Sequence, residues 1–484
     1  MKLDIQFTEE TNVQPDAYQI ICVNEKTISL IENETVQNAI SASEYKPNTG
    51  KKLIIHSERI ILLGLGNHTQ LKVKDANKIG GAVAKILIEN TQIKNCLLVT
   101  GNLSFQNLAQ ITFATKLRCY SFNRYKTDTK TTEEESRQIN LSIYATDKAE
   151  ALAEYAPLSA IADGIYTTRD LANEPSNTLT TTEFISRIKP LSKLGISIEV
   201  FDEKALKKLG ANLILAVGAG STTPPYMAIL KYTGDKKSSN SIALVGKGLC
   251  FDAGGICIKP SKGMDEMKSD MTGAATVIGT IEAIAKQHAP VNVTAIIGLA
   301  ENMPDGAAYK PGDILTSLSS QTVEVIDTDA EGRLVLADCL TYASRQHPDV
   351  IIDLATLTGA IIVALGDTTT GLFTNSDKLA TALTKASNET DEDLWRMPLG
   401  EKYTKMLHSD IADLRNLGNP SRSAGSITAA AFLEKFVEND IEWAHLDIAG
   451  SAWATENTNI APKGMSGACV YLLTHYITKI FAKQ

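Results

Sequence analysis

The sequence has no apolar run approaching the length that crosses a bilayer, and Met1-Lys2-Leu3-Asp4-Ile5-Gln6 carries no apolar signal core. Both absences predict a cytoplasmic chain without a membrane partner. Positive charge is not in excess either: 47 Lys and Arg stand against 56 Asp and Glu, a formal net charge of −9. That balance speaks against a general phosphate-binding surface and disfavours nucleic acid as a partner. Cysteine is sparse, seven residues that are odd in number and scattered. This excludes a disulfide framework and predicts reduced thiols. None of the seven histidines falls inside the acidic stretches described next, and His445, on a predicted strand, reads as a core histidine. Gly246-x-Gly248 followed by Gly254-Gly255 meets neither dinucleotide nor phosphate-loop spacing. No period of roughly 20–50 residues repeats, which excludes a solenoid or propeller.

What is present is ordinary globular composition, 43% hydrophobic and 21% charged. At 484 residues the chain exceeds one core and predicts two or more domains. Strand-like runs at 17–23, 52–63, 95–99 and 141–144, with a helix-like stretch at 76–89, predict an N-terminal α/β domain over residues 1–150. Within it, the polar segment 127–136 reads as an exposed loop. An alanine-rich helical pattern from 148 to 171 predicts a connecting helix, placed at 151–172. From 173 to 484 strands and helices alternate, the pattern of a larger α/β domain with a mostly parallel central sheet.

The chemistry concentrates in two stretches. Asp327-Thr328-Asp329-Ala330-Glu331-Gly332-Arg333 follows the alternating run Val323-Glu324-Val325-Ile326 and precedes the helix-like Leu334-Val335-Leu336-Ala337-Asp338. The acids therefore fall at the carboxyl end of a strand, where open α/β sheets bind ligands. Clustered carboxylates repel unless a cation or solvent relieves them, so a metal site and a solvated acidic turn both fit this stretch alone. Upstream, Val245-Gly246-Lys247-Gly248-Leu249-Cys250-Phe251-Asp252-Ala253-Gly254-Gly255-Ile256-Cys257-Ile258-Lys259 also follows an apolar run, and Asp270 opens the next helical stretch. Asp252, Asp270, Asp329 and Glu331 then offer oxygen ligands, with Lys247, Lys259 and Arg333 as cationic groups. Hard oxygens suit Mg, Mn or Zn. Four carboxylates over-supply one ion and suit two, about 3.5–4 Å apart with bridging carboxylates. Cys250 and Cys257 read as free thiols rather than ligands. Gly218-Ala219-Gly220-Ser221 and Pro224-Pro225 read as a tight loop beside the site.

Residues 245–259, 264–275 and 328–334 resemble the signature blocks of the leucine aminopeptidase (cytosol aminopeptidase) family of two-metal peptidases. Further blocks agree in the family's order. They are Arg169-Asp170-Leu171-Ala172-Asn173-Glu174-Pro175, Glu301-Asn302-Met303-Pro304 and Tyr309-Lys310-Pro311-Gly312-Asp313. Asp353-Leu354-Ala355-Thr356-Leu357-Thr358-Gly359 and Trp443-Ala444-His445-Leu446-Asp447-Ile448-Ala449-Gly450 complete the set. The first 150 residues carry no comparable block.

The resemblance implies an aminopeptidase that releases N-terminal amino acids from peptides. It implies two divalent ions per subunit, Mn2+ or Zn2+, that bridge a water and present it as hydroxide near neutral pH. One ion would be held by Lys247, Asp252, Asp270 and Glu331, the other by Asp252, Asp329 and Glu331 with the carbonyl of Asp329. An amine ligates only when neutral, and the residues alone read Lys247 equally as a salt-bridge partner. By the same resemblance Lys259 would polarise the scissile carbonyl and Arg333 would hold a bicarbonate ion that shuttles the proton. Charge balance alone also accounts for both cations. Met267, Thr356, Gly359 and Ala449 match positions lining an apolar pocket, which implies leucine-like or methionine-like first residues. A homohexamer centred on the C-terminal domains is implied too.

The sequence departs from the family pattern at Asp327, where asparagine is common, at Ala253, where serine or threonine is usual, and at Pro260. If the backbone stays extended through Thr328, Asp327 and Asp329 project to one side and Asp327 adds charge behind a metal ligand. If the chain turns there, Asp327 caps the loop. Two other classes are discriminated by experiment: a DNA-binding architectural factor using Lys51, Lys52, Lys72, Lys74 and Lys78, by gel shift; and a two-metal phosphoesterase, by activity on a phosphate ester.

Overall fold

The computed structural model describes residues 1–11, 16–66, 71–128, 137–419 and 423–483. Of the polar segment expected as a loop, residues 129–136 lie outside those described. By its contacts the chain divides into two units, Met1–Ala162 with Glu456–Gly464, and Asp163–Thr455 with Met465–Gln484. The alanine-rich pattern forms the helix Lys148–Asn173, which runs past residue 162 from one unit into the next. Linear pattern carries no trace of the return at 456–464. Among the described residues no helix is long and apolar enough to cross a membrane.

Among the described residues the first unit holds six strands: β1 (Lys2–Thr8), β2 (Tyr18–Val23), β3 (Lys52–Ile55), β4 (Ile60–Gly64), β5 (Asn95–Val99) and β6 (Gln138–Tyr144). They order as β1-β6-β5-β2-β4-β3, parallel except for β3 against β4. The single run expected over 52–63 is thus a hairpin. A short 3-10 turn at His56–Glu58 ends at Arg59, whose left-handed φ of 53° reverses the chain. β1, unremarked by pattern, pairs along its whole length with β6.

The second unit is built on β7 (Ser197–Phe201), β8 (Tyr226–Thr233), β9 (Ile242–Asp252), β10 (Asn292–Asn302) and β13 (Val350–Ala355). With β14 (Thr370–Thr374), β15 (Leu394–Arg396) and β17 (Glu442–Asp447) these make an eight-stranded sheet. Its order is β15-β14-β17-β13-β9-β10-β8-β7, and the central four, β17, β13, β9 and β10, run parallel. β9 and β13 are apolar and buried almost throughout, as expected of strands covered on both faces. The helix Thr272–Lys286 covers one face and is buried along nearly all its length. The helix Gly332–Ser344 packs on the other, with Leu334, Val335 and Leu336 in the second apolar core.

A small separate sheet of β11 (Ile314–Thr316), β12 (Thr322–Glu324) and β16 (Leu414–Arg415) stands outside the large one. The alternating run at 323–326 enters this small sheet at its first two residues, so Asp329 and Glu331 follow a strand of the side sheet, contrary to the simplest reading of position at a main-sheet edge. Pairing with a segment nearly a hundred residues away decides that, and local alternation cannot show it.

Candidate metal centre

The central parallel strands β9, β13 and β17 end in Asp252, Ala355 and Asp447, and β10 ends in Asn302. Their carboxyl ends form the open edge at which such sheets bind ligands. Register slips between Ala300 and Glu301, with Cys250 as the extra residue of β9. Such a bulge re-aims the side chains beyond it. Here it sets Asp252 opposite Asn302, whose Nδ2 donates to Asp252 Oδ1 at 2.8 Å. The loop after β9 closes where Lys259 N–H donates to the Ala253 carbonyl at 2.9 Å. Gly254 turns it at φ 87°, and a Cβ there would lie 2.9 Å from Asp329 Oδ1.

Asp329 and Glu331 enter from the loop between β12 and the helix Gly332–Ser344. One oxygen each of Asp252, Asp329 and Glu331 lies within 4.8 Å of the others. Two ammonium groups stand among them. Lys259 Nζ is 2.8 Å from Asp252 Oδ2 and 2.5 Å from Asp329 Oδ1. Lys247 Nζ, buried within β9, donates to Asp270 Oδ1 at 2.8 Å and to the Thr356 carbonyl at 3.0 Å. It also lies 2.9 Å from Glu331 Oε1, at ion-pair distance without hydrogen-bond geometry. Gly332 lets it through, since a Cβ there would meet Lys247 Cε at 2.5 Å.

The charge does not balance. Four carboxylates, Asp252, Asp270, Asp329 and Glu331, face the two ammonium groups. Burial, joined by the like charge of Asp252, raises Glu331 to about 8. Burial likewise raises Asp270 to about 6 against the pull of Lys247. Burial also raises Asp329. Burial pushes both lysines down, but the surrounding carboxylates outweigh it and hold each above the usual lysine value. Asp270 Oδ2 and Glu331 Oε1 are buried without a hydrogen-bond partner. Hard oxygens, unpartnered and in negative excess, fit divalent cations.

Arg333 is buried as well. Its Nη1 donates to the Asn416 carbonyl at 2.8 Å, while its Nε has no hydrogen-bond partner. Burial lowers its pKa to about 10, so it stays charged at neutral pH. Among the described residues no carboxylate forms an ion pair with it. Of the residues expected to line a pocket, Met267 is half-buried in the 3-10 turn Met264–Ser269. Thr356 turns its hydroxyl to Asp270 Oδ1 at 2.7 Å, so it braces an acid. Gly359 opens the helix Gly359–Leu365, with open space where a side chain would begin. Ala449 is half-buried against the second apolar core. Asp447 ties two of these stretches together, accepting from Leu357 N–H, Thr358 Oγ1 and Ala449 N–H.

The cytosol aminopeptidase family's catalytic-domain profile matches residues 166–474, and its N-terminal-domain profile matches 16–129. The chain belongs to the cytosol aminopeptidase family. It is accordingly an aminopeptidase, a hydrolase of peptides. A probable cytosol aminopeptidase of Rhodopseudomonas palustris (strain BisA53) is 45% identical over 460 residues, covering 92% of each chain. The solved cytosol aminopeptidase of Coxiella burnetii is 31% identical with a TM-score of 0.85, covering 99% of both. The bottromycin maturation enzyme BotP, solved in complex with Mn, is 30% identical with a TM-score of 0.82, covering 96% of this chain and 99% of its own.

Several residues around this family's catalytic unit escape sequence reasoning. Asn302 Nδ2 and Tyr309 Oη both donate to the Thr328 carbonyl, at 2.9 and 2.8 Å. Both lie in stretches that the family resemblance flags without a role. Thr328 Oγ1 donates to the Gly254 carbonyl at 2.6 Å and accepts from Cys257 N–H at 2.8 Å, joining the two acidic loops. His445, expected in the core, is buried with Nδ1 2.6 Å from Asp353 Oδ1. Ser221 Oγ donates to Glu301 beside Asn302, which puts the glycine-rich loop next to β10.

Proposed function

We propose that this chain is a two-metal aminopeptidase, with Mn2+ or Zn2+, that prefers leucine-like or methionine-like N-terminal residues. The observation that carries the reading is the convergence of Asp252, Asp329 and Glu331 within 4.8 Å, in negative excess over the neighbouring ammonium groups. One ion would be held by Lys247, Asp252, Asp270 and Glu331, and the other by Asp252, Asp329 and Glu331 with the Asp329 carbonyl. Lys247 must then give up the proton it holds among Asp270 and Glu331, which nearby divalent charge favours. When bound, the ions supply acidification of a shared water and polarisation of the scissile carbonyl.

The protein's own groups do the rest. The partly exposed Lys259 ammonium donates to the substrate carbonyl and holds the charge that develops on its oxygen. Arg333, charged and with Nε unpartnered, would hold a bicarbonate ion, which when bound supplies a proton shuttle. Met267, Thr356, Gly359 and Ala449 border the first side chain, and Gly359 leaves it room. A free substrate amine would serve as a further donor at the metal site and so select for exopeptidase cleavage. The chain acts as a homohexamer in the cytoplasm, where its seven free cysteines stay reduced.

The test is hydrolysis of leucyl amide by metal-depleted, Mn2+-restored and Zn2+-restored protein, beside the N-acetylated amide. Activity should vanish on depletion, return with metal and remain absent on the acetylated substrate. Full activity at verified zero metal, or equal turnover of both amides, would reject the reading.

A further inference from the structure

Asn416 lies just beyond β16, outside every block that carries the family resemblance, yet it is completely buried. Its one side chain closes four hydrogen bonds on the loop that carries Asp329 and Glu331. Oδ1 accepts from the backbone N–H of Ile326 at 2.7 Å and of Asp327 at 3.3 Å. Nδ2 donates to the carbonyls of Asp327 at 2.7 Å and Ala330 at 3.4 Å. The Asn416 carbonyl then accepts from Arg333 Nη1 at 2.8 Å, and its N–H donates to the Glu324 carbonyl at 3.0 Å. The segment before it is fixed to the same strand, for Asp413 accepts from Thr322 and Ser409 donates to Glu324.

We propose that Asn416 is a positioning residue that sets the acid loop and Arg333 in one register. This rests on the proposed assignment of Asp329 and Glu331 as metal ligands and of Arg333 as a catalytic cation. The loop from Ile326 to Ala330 has no strand ladder to hold it, and its acids push apart. Asn302 and Tyr309 secure only the carbonyl of Thr328 at its middle. Asn416 secures N–H and carbonyl groups on the near flank, at Ile326 and Asp327, and the Ala330 carbonyl on the far one, with an acceptor and a donor in one planar group. Aspartate would keep the acceptor and lose the donor, and alanine would lose both. Because the next peptide group along carries the contact to Arg333, any shift of Asn416 moves the guanidinium and the acids together. Its bonds reach none of Met267, Thr356, Gly359 and Ala449.

The experiment compares the parent protein with Asn416→Asp and Asn416→Ala. Mn2+ affinity is read by chelator competition, folding by circular dichroism, and kcat and KM on leucyl amide at saturating Mn2+. Loss of a group that orients ligands costs about 10–100-fold in metal affinity or activity. Both variants should therefore bind Mn2+ at least about tenfold more weakly, with kcat reduced and KM held within about twofold. Support of the fold alone would lower stability without moving Mn2+ affinity or kcat. Asn416→Asp keeps the side-chain volume and the accepting bonds, so it decides the question where Asn416→Ala does not fold. A folded Asn416→Asp protein with parental Mn2+ affinity and kcat would overturn the proposal. A parent protein that takes up neither Mn2+ nor Zn2+ would overturn the ligand assignment, and this inference with it.

Discussion

At the scale of single residues, Asp327 shows how one backbone turn decides a charge's role. Its Oδ1 accepts from Asp329 N–H at 2.9 Å and its carbonyl accepts from Ala330 N–H at 3.3 Å. The chain turns at Thr328, and of the two conformations open to the sequence the structure takes the capped loop. An asparagine oxygen makes the same cap. Asp327→Asn should therefore leave Mn2+ affinity and the pH profile of kcat/KM within about twofold of the parent. A clear move of the acidic limb to lower pH would show instead that the aspartate's charge acts on Asp329, the proposed metal ligand. The clustered acids themselves stand out because their charges lie close together in the chain, although that stretch alone fits a solvated turn as well as a metal site. Asn416 does not, since amide side chains serve turns, caps and surfaces everywhere, and its partners lie some ninety residues away.

At the scale of elements, long buried strands and helices were legible, and short or broken ones were not. β9 and the helix Thr272–Lys286 follow from continuous apolar sequence. The side sheet, the turn at Arg59 and the bulge at Cys250 depend on partners or dihedrals that periodicity does not encode. The helix Gly332–Ser344 is seated by Asp338, whose carboxylate accepts from Leu213 N–H, Ile214 N–H and Leu318 N–H. Burial raises this carboxyl to about 7 although the three N–H groups pull it down. Its folded value thus exceeds the unfolded value of about 3.9. The stability it contributes is complete below that unfolded value and is lost as pH climbs toward about 7. Asp338→Asn points an amide NH2 at a backbone N–H and should cost about 1–3 kcal/mol. In urea titrations the stability gap between parent and variant should narrow from acid to neutral pH. A gap that widens instead would mean that the three N–H bonds outweigh burial.

At the scale of the whole molecule, some apolar surface has no cover within one chain. Val363 is 91% exposed on the helix Gly359–Leu365, and Trp395 is 63% exposed on the edge strand β15. Exposed apolar groups and open strand edges favour association. They are candidates for burial in the proposed hexamer, for which light scattering of an active preparation should give six chains. A monomer at micromolar concentration would refute it, and Val363→Asp should lower the mass found. The path of the backbone has a different consequence. Because Glu456–Gly464 belongs to the first unit, the chain passes between the units three times, after Ala162, after Thr455 and after Gly464. No single cut parts them. Gly81 shows what a fragment ending at residue 162 would lack, since a Cβ there would meet the Asn459 carbonyl at 2.5 Å. The N-terminal unit stays an unfinished body until Gly464 has been made, by which point a ribosome has already produced the long segment Asp163–Thr455 of the second unit.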